Sequence, residues 1–281
     1  MSPTADPPPL ELDIAFIGGG NMARALIGGL RERGLPAARI RVGEPQAALR
    51  DALAGDFGVG VHADNAHAAS GAQVVVLAVK PQAMRDVLQP LAAALPADGL
   101  LLSIAAGITT AQLERWAGGA RKVVRGMPNT PALLGRGASG LFANAACDAR
   151  DRRLAESLLG AVGVCAWIED EALMDAVTAL SGSGPAYLFL LAEAMQAAGE
   201  REGLPAAVAR LLARQTVAGA AAMLVADDSD AAALRQRVTS PGGTTQAAIE
   251  RLQQDGFEAL VARAVHAARE RGAALSAAAG S

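Results

Sequence analysis

Aromatic side chains make up only 3% of this 281-residue sequence. Its interior must therefore be packed mainly with the Ala, Val, Leu and Ile that dominate a hydrophobic fraction of 52%. Lysine occurs twice, at Lys80 and Lys122, and cysteine twice, at Cys147 and Cys165. The cysteines stand far apart and form neither a redox pair nor a zinc pattern. His62, His67 and His266 lack metal-ligand spacing, so no metal site is expected. Buried thiols and surface histidines are the plain reading. Net charge is −3 and no basic block stands out, which leaves nothing to favour nucleic acid or an anionic membrane. No apolar run of about 18 residues suggests a membrane span. The start, MSPTADPPP, lacks the charged and apolar regions of a signal peptide, and residues 1–11 read as a flexible, proline-stiffened tail. The expectation is a soluble cytoplasmic protein of one large or two modest domains.

What is present centres on one stretch. Ile14–Ile17 is a short apolar run typical of a buried strand. It breaks on Gly18, Gly19 and Gly20, and Asn21, Met22, Ala23 and the residues after them take up helical spacing. Gly18, Gly20 and Ala23 fit G-x-G-x-x-A, the fingerprint of a dinucleotide-binding turn. Gly18 permits the tight turn, Gly20 lets the backbone approach a pyrophosphate, and Ala23 keeps the helix near the strand. The N–H groups at the helix start then face the phosphates.

Strand and helix alternate through the first half. Further strands are expected at Arg39–Gly43, Gly58–Val61, Val74–Val79, Leu100–Ile104, Lys122–Arg125 and Val164–Ile168, and helices between them include 82–95 and 151–160. Thr109 and Gln112 resemble a capping box. This alternation implies an α/β domain, a Rossmann-type doubly wound parallel sheet over residues 12–169. Ligands bind beyond the carboxyl ends of such strands, so the expected pocket is lined by Gly18–Ala23, Glu44, Ala78–Pro81, Ile104–Gly107 and Met127–Thr130. Glu44 can accept hydrogen bonds from a ribose 2′-hydroxyl and would repel a 2′-phosphate, or it is a solvated strand-end acid. Lys80 is a functional group or a strand-end cation, and Pro81 fixes the backbone beside it.

From residue 170 to 281 no convincing strand remains. Helices are expected at Ala172–Leu180, Pro185–Glu202, Pro205–Val225, Ala231–Val238, Thr244–Gln254 and Phe257–Ala278. The helix at 205–225 is apolar around much of its circumference, and a domain of roughly 110 residues has little interior to bury several such helices. The economical solution is an all-α dimerisation domain in which helices of two chains interleave, with Leu211, Leu212, Val217 and Leu224 at or near the shared core. Two glycine-serine breaks interrupt these helices, at 181–185 and 239–245. The second sets two hydroxyls and two glycines against a helix N-terminus, an arrangement suited to a small carboxylate held by backbone N–H groups.

The motifs at Phe16–Ala23, Ala78–Pro81, Met127–Pro131, Leu180–Tyr187 and Ser240–Thr245 resemble, in the same order, those of the pyrroline-5-carboxylate reductases. The likeness runs from about Ile14 to Leu275. It implies reduction of the cyclic imine 1-pyrroline-5-carboxylate to L-proline with NADPH or NADH, the last step of proline synthesis. It also implies a homodimer, or a larger assembly of dimers, in which each site borrows helices from its partner. By the resemblance the cofactor contacts Gly18, Gly19, Gly20, Asn21, Met22, Ala23, Asn65, Ala78, Val79, Lys80, Pro81, Ile104, Ala105 and Ala106, and Glu44 joins them by its place at the end of the second strand. Substrate contacts fall to Glu171, Ser240, Gly242, Gly243, Thr244 and Thr245, with Thr245 as the catalytic hydroxyl and the N–H groups of Gly243 and Thr244 on the carboxylate. Many relatives carry small polar and basic residues where this chain has Glu44-Pro45-Gln46, and a His-Pro where it has Asp230-Ala231. A β-hydroxyacid dehydrogenase would need a lysine on a helix of the second half, which this chain lacks. A non-catalytic dinucleotide-binding module would need the turn but not Ser240–Thr245.

Overall fold

The computed structural model describes residues 12–279; the expected tail, residues 1–11, lies outside them. Eight strands form one sheet: β1 (Ile14–Ile17), β2 (Ile40–Gly43), β3 (Gly60–His62), β4 (Val74–Leu77), β5 (Leu100–Ser103), β6 (Lys122–Met127), β7 (Gly137–Ala143) and β8 (Gly163–Trp167). Their order is β3-β2-β1-β4-β5-β6-β7-β8. All neighbours run parallel except β6 and β7, which are antiparallel. Ile17 pairs with both Gly43 and Leu77, Leu77 with Ser103, and Ser103 with Arg125, so the parallel strands end level with one another.

The two sides of β1 explain the layers. Ile14 and Phe16 point into one core, with Leu26 and Leu30 of α1 (Asn21–Glu32), Leu53 of α2 (Ala47–Phe57) and residues 155–159. Ala15 and Ile17 point into the other, with Ala68 of α3 (Asn65–Ala69), Leu88 of α4 (Met84–Leu91) and Leu113 of α5 (Thr110–Trp116). The central strands β1, β4 and β5 are buried on both faces, as a covered parallel sheet requires. The capping box forms as expected: Thr109 Oγ1 accepts from Gln112 N at 3.2 Å, and Gln112 Oε1 accepts from Thr109 N at 2.7 Å. Asp148 caps α6 (Ala149–Gly160) in the same way.

One strand was not expected. β7 carries the sequence GASGLFA, whose glycines lower strand propensity. A side chain at Gly140 would collide with Val177, and one at Gly163 with the backbone of Gly137. The glycines therefore answer to close packing by segments distant in sequence, and β7 turns the parallel sheet into a mixed one.

The helix expected at 172–180 is three short pieces: a 3-10 turn at Glu171–Leu173, α7 (Met174–Val177) and a π-helical stretch at Thr178–Gly182. Beyond them lie α8 (Gly184–Arg201), α9 (Ala206–Ala226), α10 (Ala231–Arg237), α11 (Thr244–Gln254) and α12 (Phe257–Ala279). The Asp230-Ala231 substitution has not prevented α10 from starting at Ala231. The chain divides into two compact units, one running to Gly182 and resuming at Ala268, the other Ser183–Ala267. Of the helical region expected from residue 170, the segment 171–182 and the last turns of α12 thus group with the sheet. In the second unit the buried apolar residues described are Ala209, Ala213 and Leu234. Leu211 is 67% exposed, Leu224 52% and Phe189 70%. By length and composition alone α9 is apolar enough to cross a membrane, which corrects the reading that no such run exists. Within its unit α9 packs against α8.

The Gly140 packing gives a test of the fold. Gly140→Ala should cost about 1–3 kcal/mol through overpacking, read as a lowered urea midpoint, and Val177→Ala in the same chain should restore part of it. An unchanged midpoint for the single variant would mean that α7 does not press on β7.

Candidate functional site

Backbone hydrogen bonds continue beyond the level ends of the parallel strands. Gly18 N donates to Gly43 O at 2.8 Å, Ala78 N to Ile17 O at 2.8 Å, Ile104 N to Leu77 O at 3.1 Å and Glu44 N to His62 O at 2.9 Å. These bonds bring Gly18–Ala23, Glu44, Ala78–Pro81 and Ile104–Ala106 together along one edge of the sheet. Gly18 sits at φ +99, and a Cβ there would lie 2.9 Å from Ala78 O; only glycine satisfies both demands. Gly20 is different. Nothing lies within 4 Å of where its Cβ would point, and no side chain caps α1, which begins at Asn21. Space and unclaimed donors therefore coincide at the helix N-terminus.

Glu44 is buried, not a solvated strand-end acid. Its Oε2 accepts from Gly19 N at 2.9 Å and its Oε1 from Gln46 N at 2.9 Å. The carboxylate thereby ties the glycine turn to the end of β2 while keeping lone pairs for a further donor. Asn65 starts α3 beside Gly43, and its Oδ1 is buried without a hydrogen-bond partner among the described residues. Lys80 is exposed, and Pro81 opens a 3-10 turn after β4. An open cradle at Gly20, an uncapped helix and an orphaned acceptor at Asn65 fit the adenosine and pyrophosphate of a dinucleotide.

Glu171 has partners within its own unit. Its Oε1 accepts from Thr110 N at 2.7 Å and from Arg125 Nη1 at 2.8 Å, and its Oε2 accepts from Thr110 Oγ1 at 2.8 Å. The Arg125 side chain is 6% exposed. Neither Arg125 nor Thr110 stood among the expected site residues. The available signal was an arginine inside the apolar strand KVVRGM, since a buried guanidinium requires a counter-charge. Asn129, in the expected pocket stretch Met127–Thr130, is engaged at both ends of its amide: its Nδ2 donates to Ser181 O at 3.0 Å and its Oδ1 accepts from Ala138 N at 2.9 Å.

In the second unit, Ser240–Thr245 forms a turn leading into α11. Gly243 N donates to Ser240 O at 3.0 Å, and Gly242 lies at φ +71 after Pro241, as a type II turn demands. This corrects the expected role of the Gly243 N–H, which closes the turn and is not left for a carboxylate. Gly242 N is also engaged, by Gln246 Oε1 at 2.6 Å. The first-turn N–H groups of Thr244 and Thr245 have no partner inside the helix, and no side chain caps it. Ser240 and Thr244 are exposed and Thr245 half-buried.

The remaining reactive side chains are quiet. Burial pushes the Cys147 and Cys165 thiols up to about 11, which keeps them protonated and poorly nucleophilic. His62 and His67 stack with ring centroids 4.5 Å apart. Burial, with smaller contributions from His67 and Arg41, lowers the pKa of His62. Among the described residues no group of three or more His, Cys, Asp or Glu is placed to hold a metal.

Comparison with known proteins adds the following. Residues 171–275 match the family model described as pyrroline-5-carboxylate reductase dimerisation, and residues 13–107 that described as NADP oxidoreductase, coenzyme F420-dependent. The chain is 56% identical over 263 residues to a pyrroline-5-carboxylate reductase of Pseudomonas aeruginosa, covering 94% of this chain and 96% of that one. A solved pyrroline-5-carboxylate reductase from Coxiella burnetii superposes with a TM-score of 0.92 at 43% identity, covering 95% of this chain and 99% of that one. The Plasmodium falciparum pyrroline carboxylate reductase, solved with NADP bound, gives 0.81 at 29% identity, covering 95% and 98%.

Gly20 separates binding from folding. Gly20→Ala has room for its methyl and an ordinary backbone conformation, so stability should change by less than about 0.5 kcal/mol. Affinity for NADPH or NADH should fall by roughly tenfold or more, since the methyl occupies the open approach. Fluorescence titration of the reduced nicotinamide and thermal melting measure the two effects; unaltered affinity would remove the glycine turn from the cofactor site.

Proposed function

The chain belongs to the pyrroline-5-carboxylate reductase family, an NAD(P)H-dependent oxidoreductase that reduces 1-pyrroline-5-carboxylate to L-proline, and on that premise we propose how its residues divide the work. The observation that carries the proposal is the stitched strand edge with its open approach at Gly20. Gly18–Ala23, Glu44, Asn65, Ala78–Pro81 and Ile104–Ala106 hold the dinucleotide there. When bound, the reduced nicotinamide supplies the hydride that reaches the imine carbon.

The substrate falls to the turn before α11. The N–H groups of Thr244 and Thr245 receive its carboxylate at the positive end of the helix, and Ser240 with Gly242 and Gly243 shapes the turn around it. Holding the carboxylate fixes which face of the ring is presented. As the imine carbon gains its hydride, the ring nitrogen must gain a proton to become an amine. Thr245 Oγ1 donates a hydrogen bond to that nitrogen and relays the proton from water, because a threonine hydroxyl is too weak an acid to give it up unaided. The enzyme works as a homodimer. The uncovered apolar faces of α8 and α9 and the match to a dimerisation family support that assembly.

The cofactor choice rests on Glu44. A buried carboxylate at the end of β2 suits a ribose 2′-hydroxyl and opposes a 2′-phosphate, so NADH should be accepted at least comparably with NADPH. The activity itself is tested by mixing protein, reduced nicotinamide and the pyrroline and following the loss of nicotinamide absorbance; no loss overturns the reading.

Two substitutions test the assignments. Glu44→Ser should raise the NADPH-to-NADH preference by up to about tenfold, equivalent to roughly 1.4 kcal/mol of relieved repulsion. An unchanged ratio would leave Glu44 as a tie for Gly19 alone. Thr245→Ala should lower kcat by about ten- to a thousandfold, roughly 1.4–4 kcal/mol, with cofactor affinity nearly constant, and Thr245→Ser should recover much of the loss. An alanine variant with the wild-type rate would make Thr245 a helix-start residue without a catalytic part.

A further inference from the structure

We propose that Glu171 is a positioning residue of the reductase, acting through Thr110 on the loop between β5 and α5. The inference rests on the cofactor reading above, in which Ile104, Ala105 and Ala106 of that loop hold the dinucleotide.

Three bonds already occupy the Glu171 carboxylate: two from Thr110, through its N–H and its hydroxyl, and one from Arg125. A carboxylate offers about four acceptor positions, and this side chain is 23% exposed. What Glu171 holds is the first residue of α5. The Thr110 N–H is one of the donors that a helix start leaves unpaired, and a negative charge there is favoured by the helix dipole. Arg125 braces the carboxylate from β6, where it pairs in register with Ser103, the last residue of β5. The ion pair thus sets the distance between the strand that launches the loop and the helix that receives it.

The rest of the loop is restrained on the same plan. Its first residue is fixed by Ile104 N donating to Leu77 O, and its last by the Thr109–Gln112 box. Its middle, Gly107 at φ +75, abuts Ser276 of α12, whose hydroxyl donates to Gly272 O at 3.1 Å and lies 3.4 Å from Asp175 Oδ1. Glu171 and Asp175 lie on one short stretch, so a single segment supports both the helix end and the middle of the loop. A loop that must present a flat ring to a reaction partner needs such support, because small displacements of a positioning wall lower the rate steeply.

The test compares Glu171→Ala, Glu171→Gln and Thr110→Val, the last being nearly isosteric and removing only the hydroxyl bond. Glu171→Ala should raise the NADPH dissociation constant, read by fluorescence titration, by about tenfold, and lower kcat, while KM for the pyrroline stays within roughly threefold. Glu171→Gln keeps an acceptor for Thr110 and should fall between wild type and alanine. Thr110→Val should shift the NADPH constant in the same direction by roughly threefold. Combined with Glu171→Ala it should add nothing, since both act through one contact. A raised KM for the pyrroline with NADPH binding unchanged would overturn the proposal in favour of direct substrate contact. A lowered melting temperature with all constants unchanged would overturn it in favour of a purely structural tie. If Glu171→Ala does not fold, Thr110→Val with no effect on NADPH binding overturns it alone. Should the wild type bind NADPH and fail to reduce the pyrroline, the reductase reading fails while the binding comparison still reports on the loop.

Discussion

The level ends of the parallel strands are the constraint on which the site depends. Because β1 pairs in register with β2 and β4, the ladder delivers Gly18, Glu44 and Ala78 to one edge, and one further backbone bond at each crossing fixes them there. A slip of one residue would send Ile14 and Phe16 to the face now filled by Ala15 and Ile17, two cores of different shape. The register is therefore held by the burial of both faces, and the geometry at the edge is a by-product of that burial. Glu44 adds the one side-chain tie, from the end of β2 to the turn after β1. The site is rigid at its base because the core is close-packed below it.

The second unit is built on the opposite principle. α8 has no buried residue of its own, and α9 buries only two alanines. Helical propensity alone makes long helices marginal in water, so packing against something must supply their stability. A second chain carrying the same apolar faces meets that need with a self-complementary contact. In the proposed dimer the membrane-like apolarity of α9 has the same origin: a helix covered on most sides by other helices reads like one covered by lipid.

Much of this was legible in sequence wherever the responsible partners are near in sequence or periodic. The glycine turn, the Thr109–Gln112 box, the apolar runs of β1 and β4, and the helices from Pro185 onward all belong to that class. β7 was not legible, because Gly140 is explained by Val177 and the close approach of Gly137 by Val162 and Gly163, none of them local. The ion pair of Arg125 and Glu171 spans 46 residues, so sequence could supply only the oddity of an arginine in an apolar strand. The engaged Gly243 N–H was legible in principle. Ser-Pro-Gly-Gly specifies a type II turn whose closing donor is the fourth residue, and that bond removes it from the carboxylate.

The chemistry then follows from what the helical unit lacks. Its turn at Ser240–Thr245 offers hydroxyls and backbone N–H groups but no strong acid, and the two lysines of the chain lie before residue 170. In the proposed mechanism rate enhancement therefore comes from orientation and from hydrogen bonds aimed at the ring nitrogen and carboxylate, the terms that depend most on fixed geometry. The turn belongs to a unit that buries little of itself. Thr245 can be only as well placed as the helices around it are covered. Since that cover comes from a second chain in the proposed dimer, the order of the Ser240–Thr245 turn is linked to protomer concentration, and dilution should loosen the turn before it loosens the sheet.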